Sequence, residues 1–318
     1  MSIAFIFPGQ GSQTPGMGLG LFNAFAAARA VFEEVDEALG EKLSRLIFEG
    51  SAEDLTLTAN AQPALMAVSL AAMRTLEHEF GVSAGKAAFV AGHSLGEYSA
   101  LAAAGALSLA DAARILRWRG EAMQGAVPVG QGAMAALIGK VDVATAEDIV
   151  KQASAAGIVV VANDNNIGNV VISGDKAGVD AALAAAKAKG VRGILLQVSA
   201  PFHSPLMQPA AETMAQALAR LEIAPLAAPL VANVTARPVI APATIRALLA
   251  EQITGRVRWR ESVEWMARPK EQEGGGVSRF VEIGAGKQLS GMVKRIAPDA
   301  ETFALCEPAD LEAFARSV

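Results

Sequence analysis

The stretch AAFVAGHSLGEYSA, residues 87–100, determines how the chain around it folds. Its first half is a short apolar run typical of a buried strand, and its second half follows a helical pattern. Ser94 lies at the junction, between Gly92 and Gly96. The spacing G-x-S-x-G is that of a nucleophile elbow, a sharp strand-to-helix turn that exposes a serine hydroxyl at the edge of a sheet. The segment therefore predicts an α/β fold with a candidate nucleophile.

Composition and charge exclude several classes of protein. The chain has 318 residues, of which 52% are hydrophobic and 19% charged, as expected for one large globular domain or two smaller ones. Its net charge of -5 gives no overall attraction for nucleic acid or for an anionic membrane surface. The first residues form no basic leader, and the uncharged runs are too short to span a bilayer. We expect a cytoplasmic protein that binds neither nucleic acid nor membrane.

No metal site is expected. Cys306 is the single cysteine, so it can form neither an internal disulfide nor a thiolate metal cluster, and we interpret it as a small core residue. The histidines and acidic residues show no metal-ligand spacing.

Strand-like and helical segments alternate along most of the chain, which favours an α/β architecture. The predicted strands of the large domain are 3–7, 87–92, 229–232 and 279–283. The predicted helices are 21–38, 60–79, 95–105, 108–125, 205–221, 242–253, 259–267 and one from about 286.

The middle of the chain follows a different order. It comprises strand 132–138, helix 142–156, strands 158–163 and 170–173, helix 175–189 and strand 192–198. This βαββαβ order is that of the ferredoxin-like fold. We therefore predict a small subdomain, residues 128–198, inserted into a large α/β domain formed by residues 1–127 and 199–318.

A nucleophilic serine needs a base, and the chain has three histidines from which to choose. His78 lies between two glutamates on a helix end and is interpreted as a surface residue. His93 adjoins Ser94, so its side chain should leave the turn in another direction and pack nearby. His203 lies in a loop between a predicted strand and a predicted helix, where catalytic groups collect in α/β folds. It is the candidate base.

The third member of a catalytic triad stays open. The acids between Ser94 and His203 include Asp111, Asp142, Asp164 and Asp175, and none has a distinctive context. A backbone carbonyl can orient a histidine in place of a carboxylate.

Arg119 lies in the middle of an apolar stripe on the predicted helix 108–125. Arg114, Arg117 and Glu121 are assigned to the solvated face. A guanidinium directed inward must find an anion, because an unpaired buried charge is costly. A structural salt bridge would satisfy it, but next to a reactive serine we favour a two-donor fork for a substrate carboxylate.

Two glycine-containing loops resemble nucleotide sites without matching them. FPGQGSQTPGMG, residues 7–18, has Thr14 at the third glycine position of a dinucleotide motif, and EIGAGKQL, residues 282–289, lacks the spacing of a phosphate-binding loop. The first loop, with Gln10, is better suited to donating hydrogen bonds to an oxyanion.

Taken together, these motifs identify a family resemblance. FPGQGSQ, GHSLGE, RWRGEAM, NVVISG, SAPFHSPLM, EQI, VRW and EIGAGKQL occur in the order seen in malonyl-CoA:acyl-carrier-protein transacylases, and the resemblance extends from end to end. That family has an α/β-hydrolase-like large domain with an inserted ferredoxin-like subdomain.

The resemblance implies a role for each motif residue. Ser94 would accept the acyl group and His203 would be its base. The backbone amides of Gln10 and Leu95 would form the oxyanion hole. Arg119 would bind the malonyl carboxylate, and the main-chain carbonyl of Gln252 would orient His203. Phe202, before the histidine, is typical of relatives that select malonyl over methylmalonyl groups.

The implied reaction is transfer of a malonyl group from malonyl-CoA to the phosphopantetheine thiol of acyl carrier protein, through a malonyl-serine ester and without a cofactor. The family suggests a monomer that binds the acidic carrier protein transiently. Because the chain itself is negative, docking requires a local basic patch. The candidates are Lys187, Lys189, Arg192, Lys287, Lys294 and Arg295.

Other functions stay open at this point. A serine thioesterase or esterase could use the same core, and a binding module could have lost catalysis, although all the implied catalytic residues are present. Within the family, the chain could also serve a polyketide or malonate pathway, because the chemistry is the same.

Overall fold

Two β-sheets organise the chain, of which the structure, a computed structural model, describes residues 2–318. The strands within this range are β1 (Ile3–Phe7), β2 (Phe89–Gly92), β3 (Gly132–Ile138), β4 (Val159–Asn166), β5 (Asn169–Asp175), β6 (Arg192–Leu195), β7 (Leu230–Ala232), β8 (Arg237–Val239), β9 (Arg279–Ile283) and β10 (Glu301–Leu305). The large sheet has the order β10-β9-β1-β2-β7-β8, and all its neighbours are parallel except β7 and β8.

Fourteen α-helices lie around the two sheets in the described residues. They are α1 (Leu19–Ala24), α2 (Ala26–Leu39), α3 (Leu43–Glu49), α4 (Ala52–Thr56), α5 (Thr58–Phe80), α6 (Gly96–Ala103), α7 (Leu109–Gly125), α8 (Val143–Ala153), α9 (Lys176–Ala188), α10 (Gln208–Ala219), α11 (Pro242–Glu251), α12 (Trp259–Ala267), α13 (Gln288–Ile296) and α14 (Pro308–Ala315). Of these, α8 and α9 belong to the small sheet.

Strand β1 illustrates why the large sheet is buried on both sides. Phe5 and Phe7 lie in one apolar core, whereas Ala4 and Ile6 lie in a second core together with Trp259. Successive side chains of a strand point to opposite faces, so a strand that is apolar throughout must be covered twice. This arrangement confirms the predicted α/β fold.

The small sheet has the order β4-β5-β3-β6, and all its pairs are antiparallel. With α8 between β3 and β4 and α9 between β5 and β6, this is the predicted βαββαβ arrangement. Its strands and helices fall between residues 132 and 195, within the predicted range 128–198, whose limits remain a prediction.

Backbone hydrogen bonds join the small subdomain to the large domain. The amide of Val257, in the large domain, donates to Ala162 O at 2.8 Å, and the carbonyl of Val257 accepts from the Asp164 amide at 2.9 Å. Val257 therefore forms a parallel bridge with Asn163 of β4. Arg260 Nε donates to Asp164 Oδ1 at 3.1 Å beside this bridge. These contacts hold the small subdomain against the large domain.

The sequence-based prediction was wrong in some local details. The predicted helix 21–38 is two helices, because Phe25 has an extended backbone with φ -127° and ψ 128°. Helices α3, α4 and α14 and strands β8 and β10 were missed. Each has eight residues or fewer, which leaves little periodic pattern to read. Among residues 2–318, no helix has the length and hydropathy needed to cross a bilayer.

Candidate active site

The turn between β2 and α6 carries Ser94 in a strained conformation. Its φ is 52°, in the left-handed region that non-glycine residues rarely adopt. A Cβ atom at Gly92 would lie 1.9 Å from the carbonyl carbon of Gly96, and one at Gly96 would lie 2.3 Å from the carbonyl oxygen of Phe7. Only residues without a side chain fit at these two positions, which explains the glycine on each side of the serine.

His203 accepts a hydrogen bond from Ser94. Its Nε2 atom lies 2.8 Å from Ser94 Oγ, and its Nδ1 atom lies 2.8 Å from the carbonyl oxygen of Gln252 and 3.1 Å from that of Gly255. A carbonyl oxygen can only accept, so Nδ1 carries the proton and Nε2 is free to take the proton of the serine. This is the arrangement of a nucleophile and its base.

No carboxylate takes part in this pair within the described residues. Asp142 caps α8 and Asp175 caps α9, while Asp111 accepts from Ser108 and Asp164 binds Arg260. Among the described residues, the groups within hydrogen-bond distance of His203 Nδ1 are the backbone carbonyls of Gln252 and Gly255.

Burial keeps His203 neutral. The side chain is 3% exposed, and desolvation, with the nearby charge of Arg119 as a smaller cause, lowers the pKa of His203 to about 3. An imidazole with such a pKa is unprotonated at neutral pH and available as a base.

Arg119 points inward from α7, as its place in the apolar stripe predicts, and is 1% exposed. Its Nη1 atom donates to Gln62 Oε1 at 2.7 Å, and its Nη2 atom donates to Gln252 Oε1 at 2.8 Å and to Ser94 Oγ at 3.1 Å. These acceptors are neutral, and none of the salt bridges formed within residues 2–318 includes Arg119. A buried cation with neutral partners beside a nucleophile is suited to binding a substrate anion.

The assignment of Arg117 to the solvated face is wrong. Its Nη1 atom donates to the carbonyl oxygen of Ala59 and to Asn60 Oδ1, both at 2.6 Å, and its guanidinium also contacts Glu41. The start of α5 lies over this part of α7 and covers the side chain. Trp118, the next residue, is 51% exposed instead.

Ser94, His203 and Arg119 line a cavity of about 410 Å³ between the two sheets' domains. Gln10 and Leu95 lie in its wall, and in the described part of the chain neither of their backbone amides donates to a protein acceptor. Free amides next to a serine nucleophile are suited to stabilising an oxyanion.

The other wall of the cavity comes partly from the small subdomain. Met134, Asn163 and Val171 contribute to it, as does Phe202 from the loop before the histidine. The site therefore depends on both domains.

The other two histidines have the positions that the sequence indicated. His78 is exposed in the last turn of α5. His93 points away from Ser94, and its Nε2 atom lies 2.9 Å from Asn165 Oδ1. Cys306 is half-buried, and burial raises the pKa of its thiol to about 11, so it is no competing nucleophile. No group of potential metal ligands occurs among residues 2–318.

Sequence reasoning missed three buried polar residues of the site. Gln62 binds Arg119, Asn233 Oδ1 accepts the Ser94 amide at 2.8 Å, and Glu97 accepts the Asn233 amide at 2.8 Å. Burial raises the pKa of Glu97 to about 8, although its hydrogen bonds and the charge of Arg119 oppose this. Only Glu97 belongs to a recognised motif, as the last residue of GHSLGE, and nothing in the sequence marks the partners of the other two.

The chain resembles known acyltransferases over its whole length. The model of the acyl transferase domain matches residues 4–296. The malonyl CoA-acyl carrier protein transacylase of Bacillus subtilis strain 168 is 46% identical over 311 residues, which cover 98% of this chain and 95% of the relative.

Solved structures show the same similarity. The acyl-carrier-protein-S-malonyltransferase of Bartonella henselae is 52% identical, with a TM-score of 0.95, over 100% of this chain and 99% of that one. A malonyl-transacylase solved in complex with its type II PKS acyl-carrier protein is 38% identical, with a TM-score of 0.94, over the full length of both chains.

Proposed function

This chain belongs to the acyl transferase family, and we propose that it transfers a malonyl group from malonyl-CoA to the phosphopantetheine thiol of acyl carrier protein in fatty acid synthesis. The observation that carries this proposal is the Ser94–His203 hydrogen bond of 2.8 Å beside the buried guanidinium of Arg119. The protein is then an S-malonyltransferase with a serine nucleophile.

In the first step, Ser94 Oγ attacks the thioester carbonyl of malonyl-CoA while His203 Nε2 takes its proton. The amides of Gln10 and Leu95 stabilise the tetrahedral oxyanion. When the intermediate collapses, the carbon–sulfur bond breaks and His203 gives the proton to the departing sulfur, which leaves as the thiol of coenzyme A. A malonyl-serine ester is left.

Arg119 selects the acyl group. Its fork binds the malonyl carboxylate and gives up hydrogen bonds to Ser94 Oγ and to one of the glutamine side chains. An acetyl group has no carboxylate and leaves the arginine with its neutral partners. The arginine thereby favours dicarboxylic acyl groups.

In the second step, the thiol of the carrier protein's phosphopantetheine enters the cavity and loses its proton to His203. The thiolate attacks the ester carbonyl, and the proton passes to Ser94 Oγ as the carbon–oxygen bond breaks. The enclosed walls around Ser94 limit attack by water. No cofactor is required, because every proton and charge is handled by residues of this chain.

The carrier protein docks at the mouth of the cavity. Gln288 and Leu196 both line this cavity. Exposed basic residues lie near each of them in the sequence. Lys287, Lys294 and Arg295 lie in or next to α13, and Arg192 lies on β6. Lys187 and Lys189 lie at the end of α9, although Lys189 is paired with Asp148 at 2.7 Å.

Charge reversal tests this docking surface. Changing all six basic residues to glutamate should raise the KM for acyl carrier protein at low salt and leave acylation by malonyl-CoA unchanged. An unchanged KM would exclude the patch.

The protein acts in the cytoplasm as a monomer and binds no nucleic acid. The net charge of -5 and the single cysteine support these assignments.

Intact-protein mass spectrometry after mixing with malonyl-CoA tests the reaction. The wild-type chain should gain one malonyl group that holo acyl carrier protein removes, and Ser94→Ala should gain none. Release of free malonate without a persistent adduct would show a hydrolase instead. Comparing carrier proteins of fatty acid and polyketide synthesis as acceptors would identify the pathway.

A further inference from the structure

Glu97 is a buried acid that the reaction above does not use. It lies in the first turn of α6, three residues after Ser94, and is 2% exposed. Within the described residues it forms no salt bridge at all. A buried carboxyl group needs hydrogen-bond donors, because burial removes its contacts with water. The donors that Glu97 binds are therefore the groups that it can hold in position.

Each oxygen of Glu97 accepts one hydrogen bond. The backbone amide of Asn233 donates to Oε1 at 2.8 Å, and the side-chain amide of Gln252 donates to Oε2. The first donor belongs to the backbone and cannot turn. The second belongs to an amide group that could point either its nitrogen or its oxygen at Glu97.

The orientation of the Gln252 amide matters because three groups of the site depend on it. Its nitrogen also donates to the carbonyl oxygen of Ser94 at 2.9 Å, and its oxygen accepts from Arg119 Nη2 at 2.8 Å. The same Arg119 nitrogen is 3.1 Å from Ser94 Oγ. If the Gln252 amide turned over, its NH2 group would face the guanidinium, donor against donor, and Arg119 would lose its fixed position.

We propose that Glu97 is a positioning residue whose carboxyl group fixes the Gln252 side-chain amide in the orientation that aims Arg119 at Ser94. The role deepens the proposed function and rests on it, because Arg119 is taken as the carboxylate-binding group. Glu97 acts on His203 much less, since that histidine is held by the main-chain carbonyl of Gln252 and not by its side chain.

Glu97→Gln tests the role without a change in size. The comparison is made at pH 9, above the Glu97 pKa of about 8, so that the wild-type carboxylate accepts from both donors. A glutamine at 97 cannot accept from both, so its NH2 group must face either the Asn233 amide or the Gln252 amide. The lower-energy arrangement is the one in which the Gln252 side-chain amide turns over and presents its oxygen to residue 97. This turn displaces Arg119. We expect the ratio of malonyl-CoA to acetyl-CoA acylation efficiency (kcat/KM) to fall at least about tenfold.

Two readouts separate positioning from general damage. Phenylmethylsulfonyl fluoride, an uncharged serine reagent, should label Ser94 of Glu97→Gln at close to the wild-type rate. Asp36→Asn is the matched control, because Asp36 is 5% exposed and accepts from the Ser44 amide at 2.8 Å and from Ser44 Oγ at 2.7 Å. Asp36 lies on α2 and does not line the cavity. It should change stability but not the malonyl-to-acetyl ratio.

Gln252→Met, alone and combined with Glu97→Gln, keeps the test decisive if Glu97→Gln by itself fails to fold. Gln252→Met removes the amide and keeps the main-chain carbonyl, so it should lower the ratio by itself. In that background the Asn233 amide is the one remaining donor, and the oxygen of a glutamine at 97 can accept from it, so adding Glu97→Gln should lower the ratio no further. A further fall, or an unchanged ratio in Glu97→Gln, would overturn the proposal. Failure of the wild-type chain to take up malonate would instead refute the proposed function.

Discussion

Replacing Arg119 by alanine is the sharpest test of how the acyl group is chosen. The guanidinium is 1% exposed, and its partners are the neutral oxygens of Gln62, Gln252 and Ser94, at 2.7–3.1 Å. Bound malonate would supply the missing counter-charge. Removing one partner of a buried ion pair costs about 3–5 kcal/mol, because the other charge is left buried and unpaired.

This cost applies to malonyl-CoA and not to acetyl-CoA, which has no carboxylate at this position. We therefore expect Arg119→Ala to lower kcat/KM for malonyl-CoA by roughly 10²- to 10⁴-fold and to change that for acetyl-CoA by less than about fivefold. Acylation of Ser94, followed by rapid quenching and intact-protein mass spectrometry, measures both substrates directly.

Arg117→Ala is the matched control for this experiment. It removes the same charge two residues earlier on α7, where the side chain binds Ala59 and Asn60 and not the cavity. It should lower stability while leaving the malonyl-to-acetyl ratio within about twofold of wild type. Equal losses for both acyl groups in Arg119→Ala would refute the carboxylate role.

Further predictions follow from burial and close approach. Because His203 has a pKa of about 3, acetyl-CoA acylation should change less than about threefold between pH 7 and 5, where an ordinary histidine would lose about twentyfold in rate profiles. Gly96→Ala should unfold or inactivate the protein, since the new Cβ would lie 2.3 Å from Phe7 O. Gly291→Ala is the contrasting variant: its Cβ would enter open space on α13, so the better helix propensity of alanine should raise Tm. The raised pKa of Glu97, about 8, means that the unfolded state ionises first as pH rises. Denaturant titrations should therefore show wild type losing more stability than Glu97→Gln between pH 5 and 8.

Local signals in the sequence were sufficient for the elbow and for the direction of Arg119. The strand, turn and helix around Ser94 follow one another within fourteen residues, from 87 to 100, so their pattern is visible without any distant contact. The inward direction of Arg119 follows from the helical period of its neighbours. For Arg117 the same helical period predicted a solvent-exposed side chain, and this was wrong. The start of α5 covers that face of α7, which an isolated helix would expose to solvent.

The sequence by itself therefore determined the α/β architecture, the inserted βαββαβ unit and the candidate nucleophile, base and arginine. The family resemblance implied that the Gln252 carbonyl orients His203, and only the tertiary structure decided the other contacts that hold these residues. His203 is oriented by carbonyl oxygens 49 and 52 residues away, Asn233 reaches the Ser94 amide across 139 residues, and Gln252 meets Arg119 across 133. Periodicity records which side of an element is buried. A hydrogen bond between distant elements depends on how those elements pack, and no pattern along the chain encodes that distance.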